Sequence, residues 1–167
     1  MKKNEEYIVT CIDDTDLNSG VVKIDDMVVF VPNLLIGEKA KIKIVKVNKK
    51  YAFGIITQLL EPSINRQELT CEVAKTCGGC QLQHMKYAYQ LDYKYKHVKK
   101  LFEDIEVKPI LGMDSPWYYR NKAQFPVKIK DGKVQMGFYR QHSNDVVTCK
   151  ECKIQDFTIN EIFGFIQ

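Results

Sequence analysis

The sequence has no long apolar run. None of its 167 residues falls in a stretch approaching the ~18 consecutive apolar positions that a membrane-spanning helix needs. Met1-Lys-Lys-Asn-Glu-Glu leads straight into Tyr7-Ile-Val-Thr, with no apolar leader of the signal-peptide kind. These two absences predict a cytoplasmic protein with no membrane partner. Thiols stay reduced there, so clustered cysteines point to metal before disulfides. Strong charge is missing too: 25 Lys and Arg against 21 Asp and Glu leave +4, which permits an anionic partner without demanding one. Apolar residues are not scarce, however, and a hydrophobic share of 45% excludes wholesale disorder. The length suits one domain or two small ones.

Of the 6 cysteines, Cys71, Cys77 and Cys80 fall in one short stretch, with Gly78-Gly79 between the last two. Cys149 and Cys152 follow about seventy residues later, a distance over which loop closure is still cheap. The glycines suit a tight turn with positive φ that brings Cys77 and Cys80 to one side. Two metal readings compete. Structural zinc takes paired Cys-x2-Cys knuckles, which Cys77/Cys80 with Cys149/Cys152 supply, leaving Cys71 idle. A [4Fe–4S] cluster takes three close thiolates and one remote, which Cys71, Cys77 and Cys80 supply with one of the last pair. Spacing alone leaves these level. Cys11, isolated within a strand-like run, reads as a small buried hydrophobe.

Residues 1–60 read as a small β-barrel. Tyr7–Ile12 is a strand, 13–20 a polar break, Val21–Ile24 and Met27–Val31 a hairpin turning at Asp25-Asp26, and Ala40–Val47 alternates apolar residues with lysines. Tyr51–Thr57 closes a set of five strands, and closure into a barrel removes exposed edges. Lys39, Lys41, Lys43, Lys46, Lys49 and Lys50 form a basic stripe, either a solvated strand face or a phosphate-binding one. The candidates for phosphate contact are Lys41, Lys43, Lys49 and Lys50.

Residues 61–167 form a second region. Glu61–Gln67 is a linker, and 84–104 is a helix with Tyr87, Leu91, Val98, Leu101 and Phe102 as its apolar face. On it, Tyr89, Tyr93 and Tyr95 interleave with lysines, for core packing or for base stacking. Trp117–Ile129 is strand-like, Asp131-Gly132 turns a hairpin, and a helix begins at Phe157. The pattern is still running at Gln167, as in a truncated chain. The fold class is thus mainly β with an α+β part: an OB-like barrel, then an α+β cysteine-bearing domain.

Cys71-x5-Cys77-Gly-Gly-Cys80 followed by Gln81-Leu-Gln-His84 resembles the RNA uracil-C5 methyltransferases of the ribosomal RNA (uracil-5-)-methyltransferase type. Phe30-Val-Pro-Asn-Leu-Leu-Ile-Gly-Glu38 is similar to a segment of that family's TRAM barrel. Glu61-Pro-Ser…Arg66, Tyr119-Arg-Asn-Lys-Ala-Gln-Phe125 and Gly137-Phe-Tyr-Arg140 are similar to its link and central domain. Val146-Val…Cys152-Lys-Ile-Gln155 is similar to the segment holding its fourth cluster ligand. Departures are Ile36 for proline, Thr148 for aspartate, and the extra Cys149. The resemblance implies a [4Fe–4S] cluster on Cys71, Cys77, Cys80 and Cys152 and a ribosomal RNA partner. It also implies an S-adenosylmethionine domain, whose Gly-rich strand-to-helix turn does not follow here. This chain therefore carries no catalytic and no S-adenosylmethionine-binding residue and is inactive alone, a monomeric RNA-recognition portion. Arg120, Lys122 and Gln124, alternating on one strand face, are expected to approach RNA. The alternative is a stand-alone zinc-ribbon RNA-binding module. An electron-transfer protein leaves the basic barrel without purpose.

Overall fold

Alternation along residues 39–47 produces a strand with one buried face. In β5 (Lys39–Val47) Ala40, Ile42 and Ile44 are fully buried, while the lysines between them face outward. In this computed structural model, which describes residues 1–102 and 104–166, β5 lies inside a six-stranded sheet. The other strands are β1 (Glu6–Thr10), β2 (Asp13–Asp14), β3 (Ser19–Ile24), β4 (Met27–Pro32) and β6 (Tyr51–Glu61). Their order is β1-β5-β6-β4-β3-β2, with β4 and β6 parallel and the other pairs antiparallel.

The two edge strands are consecutive pieces of one bent segment. Between them the Cys11 N–H donates to the Glu38 carbonyl and the Ile12 N–H to the Val21 carbonyl, both at 2.9 Å. The sheet therefore curls, and neither edge stays open for long. Five strands were expected and six are present. The additional one, β2, lies within the expected polar break: Asp13 is exposed, Asp14 is half-buried, and the backbone does the pairing. β6 extends past Thr57 to Glu61 because register shifts against β5 keep the long pair in step.

Val9, Val22, Val29, Val31, Leu34, Ile42 and Ile44 fill the interior of the curl. Cys11 joins them at 2% exposure, the small-hydrophobe role expected of it, and burial pushes its thiol up to about 11. A Cβ on Gly20 would lie 2.6 Å from its Sγ, so the core closes there only around a glycine.

By internal contacts the chain forms two units, Met1–Gln67 with His84–Glu103, and Glu68–Gln83 with Asp104–Gln167. A single cut at residue 60 does not describe this division, because the linker and the helix go with the sheet. Glu38, fully buried, holds the linker: its two carboxylate oxygens accept from Arg66 Nε at 2.5 Å and Nη2 at 2.6 Å, and from the Leu35 and Ser63 N–H groups. Burial raises its affinity for a proton, but Arg66 and the two amides outweigh that and leave the pKa lowered.

The helix α1 (Tyr87–Leu101) is shorter than expected, and its inward face differs. Glu103 and Gln167 lie outside the described residues. Tyr93 is buried, whereas Val98, Leu101 and Phe102 are exposed. The Tyr93 hydroxyl donates to the Thr15 carbonyl and accepts from the Asn18 N–H, and His97 Nε2 sits 3.1 Å from Asp14 Oδ1. Polar tips thus seat this helix where apolar spacing suggested another face. Tyr93 is thereby a packing residue.

The second unit has little regular structure. β7 (Val127–Lys130) and β8 (Lys133–Met136) form the expected hairpin, with Asp131 and Gly132 both at positive φ. β9 (Phe138–Tyr139) pairs with β10 (Val146–Val147), and α2 (Phe157–Ile166) follows. Residues 117–126 are not a strand, contrary to expectation. Among the described residues their pairing is limited to one isolated bridge, Arg120 to Gln155, and Phe125 packs against Phe138 and Phe163, with centroids 5.2 and 4.3 Å away.

Candidate functional site

Within the second unit the cysteine-bearing segments are tied to one another through their backbones. Cys77 bridges to Arg140, the Gly78 N–H donates to the Tyr139 carbonyl at 2.9 Å, and the Gln141 N–H donates to the Thr76 carbonyl at 2.9 Å. A Cβ on Gly78 would stand 3.2 Å from the Tyr139 oxygen. Gly78 and Gly79 do not take the positive φ expected of them; what glycine supplies here is close approach between chain segments. The later pair is fixed from two sides. The Lys150 N–H donates to Glu72 Oε1 at 2.9 Å, beside Cys71. Asn160 of α2 accepts from the Cys152 N–H at 2.8 Å and donates to the Cys152 and Gln155 carbonyls.

The result is one cavity lined by Cys71, Cys77, Cys80, Cys149 and Cys152 together. Among the described residues none of the five forms a disulfide. Burial is the main cause that pushes Cys80 up to about 11 and Cys149 up to about 12, and it raises Cys77 as well. Mutual repulsion adds to it. The largest repulsion at both Cys77 and Cys80 comes from Cys152, followed by others of the group. Cys149 feels Cys152, Cys71 and Cys77. A cationic group among these sulfurs would remove both penalties by holding them as thiolates. The donor set therefore fits a thiolate-bound metal group. Among the described residues no three Cys, His, Asp or Glu side chains are arranged as the ligands of a single ion; the sulfurs share a wall without closing on one point.

Beside this cavity lies an open cleft of about 640 Å³. Arg120, Lys122 and Gln124 all line it, with Asn121, Arg140, His142 and Tyr139. The three expected residues are therefore brought together, though by an irregular segment pinned through Arg120 to Ile154 and Asp156. Gly79, Arg120, Phe138 and Gln155 line both the cleft and the cysteine cavity. Gln155 is 1% exposed, and its Oε1 is buried without a hydrogen-bond partner.

The lysines of the first unit divide. Lys41 Nζ pairs with Glu6 at 2.6 Å and Lys39 with Glu61 at 3.0 Å, so part of the stripe is an ion-paired strand face. Lys43 is half-buried on β5, and Lys49 and Lys50 are exposed in the turn before β6. Next to that turn Phe30, Tyr51 and Phe53 form a ring cluster with centroids 5.5 to 5.9 Å apart. This trio was missed. Tyr51 and Phe53 share a face by period two, but Phe30 joins them only through the parallel β4–β6 register, which nothing local announces.

A TRAM domain matches residues 3–57. An uncharacterized RNA methyltransferase of Clostridium acetobutylicum is 39% identical across the whole of this chain, which covers 38% of that protein. One from Oceanobacillus iheyensis is 44% identical over 99% of this chain and 37% of its own length. The chain thus spans little more than a third of the curated relatives it matches. Among solved structures, the Pyrococcus abyssi tRNA (uracil-54, C5)-methyltransferase, in complex with S-adenosyl-L-homocysteine, shares the fold over 95% of this chain and 35% of its own, with a TM-score of 0.61 and 23% identity. No helix among the described residues is long and apolar enough to cross a membrane. Residues 3–57 match a TRAM domain, and along its whole length the chain is similar to a part of proteins named as RNA methyltransferases.

Proposed function

We propose that this chain is the RNA-recognition and [4Fe–4S]-binding portion of an S-adenosylmethionine-dependent RNA uracil-C5 methyltransferase, a monomeric cytoplasmic protein acting on ribosomal RNA. Cys71, Cys77, Cys80 and Cys152 hold the cluster. The observation that carries this reading is the wall shared by the cysteine cavity and the cationic cleft. When bound, the cluster supplies four iron–thiolate links that close the long loop between Cys80 and Cys152. The chain's own residues do the rest. Gly78 lets the Cys77 turn lie against 139–141, and Asn160 fixes the turn carrying Cys152. That framework presents Arg120 and Lys122 to phosphate, and Gln124 to base edges. In the first unit Lys43, Lys49 and Lys50 contact backbone, with Lys41 at the ion-paired margin of the stripe. The Phe30–Tyr51–Phe53 cluster offers ring faces for unpaired bases.

The test is affinity for a single-stranded ribosomal RNA fragment across a salt series. The double variant Arg120→Ala, Lys122→Ala should lower the slope of log affinity against log salt by about 1 to 2, as lost phosphate contacts require. An unchanged slope and affinity would remove the cleft from the RNA interface.

A further inference from the structure

Four thiolates suffice for a [4Fe–4S] cluster, yet five cysteines line one cavity. Cys149 is not a core thiol of the Cys11 kind. Cys11 is enclosed by the valines of a sheet interior, with its Sγ 3.2 Å from the Asp13 carbonyl. Cys149, 5% exposed, faces the same cavity as the other four cysteines. It lies on the same loop as Cys152, at the Cys-x2-Cys spacing that also separates Cys77 from Cys80 and that can present two sulfurs to one centre. That loop is anchored at Lys150, to Glu72 beside Cys71, and at Cys152, to Asn160. Both sulfurs are therefore carried by backbone already fixed at the cavity.

We propose that Cys149 is an exchangeable fifth ligand, able to replace Cys152 on the cluster iron. The inference rests on the cluster reading above. In the exchange one iron–sulfur bond to Cys152 breaks and one to Cys149 forms. The proton leaves the Cys149 thiol and is taken up by the Cys152 sulfur, and no electron moves. The cluster thus keeps four thiolates if Cys152 is lost, alkylated or displaced.

The experiment compares anaerobically reconstituted wild type, Cys149→Ser, Cys152→Ser and the double variant by iron and sulfide content and by the electron paramagnetic resonance of the reduced state. Wild type and Cys149→Ser should hold about four irons each with the same spectrum. Cys152→Ser should keep more than roughly half of that iron with a shifted spectrum, and the double variant should keep almost none. Iron lost equally from Cys152→Ser and the double variant would overturn the proposal, as would a cluster lost from Cys149→Ser alone. Wild type holding zinc or no metal would sink the cluster reading and this inference with it. Should Cys152→Ser fail to fold, Asn160→Ala frees the turn while leaving every sulfur in place. In its loaded form Cys152 should become open to iodoacetamide while Cys149 stays protected; the reverse pattern contradicts the exchange.

Discussion

The two units of this chain are built on different physics. In the first, alternating strands bury a continuous apolar interior, with Val22, Val29, Val31, Ala40, Ile42, Ile44 and Ala52 all fully buried. In the second, the ladders among the described residues are two short pairs, the hairpin β7–β8 is exposed along most of its length, and the phenylalanines around Phe163 make a small cluster. Loops bearing cysteines occupy the place a core would take. Hydrophobic burial is the main support of the first unit, with the buried Glu38–Arg66 pair fixing its linker. The second has too little of it, and on the proposed reading it relies on a centre held by Cys71, Cys77, Cys80 and Cys152.

The sharpest way to break this contrast is to remove one thiolate. Cys80→Ser should abolish slow amide exchange in residues 68–83 and 104–166 while β3, β4 and β5 keep theirs, because structural metal sites supply on the order of 10 kcal/mol of folding energy. Equal protection in both units after the change would show that the second unit stands without its centre.

A smaller effect, confined to the first unit, comes from Glu38→Ala. It leaves Arg66 half-buried without its partner and should destabilise that unit by about 3–5 kcal/mol, read as a lowered thermal midpoint with the metal content unchanged. Loss of metal along with it would mean that the linker, not the cysteine loops, governs the centre.

Acid sharpens the comparison next. Burial, then the charge of Arg66, pushes His84 down from 6.5 to about 4. Between those values the unfolded chain takes up a proton that the folded one refuses, so stability falls as pH drops through this window, by up to roughly 3 kcal/mol. The lowered Glu38 pKa adds a loss of the same sign below its ordinary value of 4.5. Urea unfolding of the first unit at pH 7 and pH 5 should show the decline, and His84→Gln should flatten it between these pH values. A profile unaltered by that substitution would assign the acid sensitivity elsewhere.

The first unit was largely legible in the sequence because its signals are local. Lysine alternation marks β5, Asp25-Asp26 marks the β3–β4 turn, and Asp131-Gly132 marks the later hairpin just as plainly. Residues whose partners are distant were not legible. β2 pairs through backbone under two polar side chains, and Phe30 meets Phe53 across a parallel register. The buried face of α1 is set by Tyr93 finding the Thr15 carbonyl, which no apolar count anticipates. In the second unit the cysteine spacing singled out residues that line one cavity. It could not foretell that Arg120, Lys122 and Gln124 would share a cleft without a strand, or that Gln155 would lie between cleft and cavity.

The measurement that bears most directly on the central claim is the content of iron, acid-labile sulfide and zinc in anaerobically purified protein, beside Cys71→Ser. A cluster on Cys71, Cys77, Cys80 and Cys152 predicts about four irons and four sulfides per chain, lost in the variant. One zinc per chain, unaffected by the loss of Cys71, would contradict it and return the cysteines to a ribbon built on Cys77, Cys80, Cys149 and Cys152.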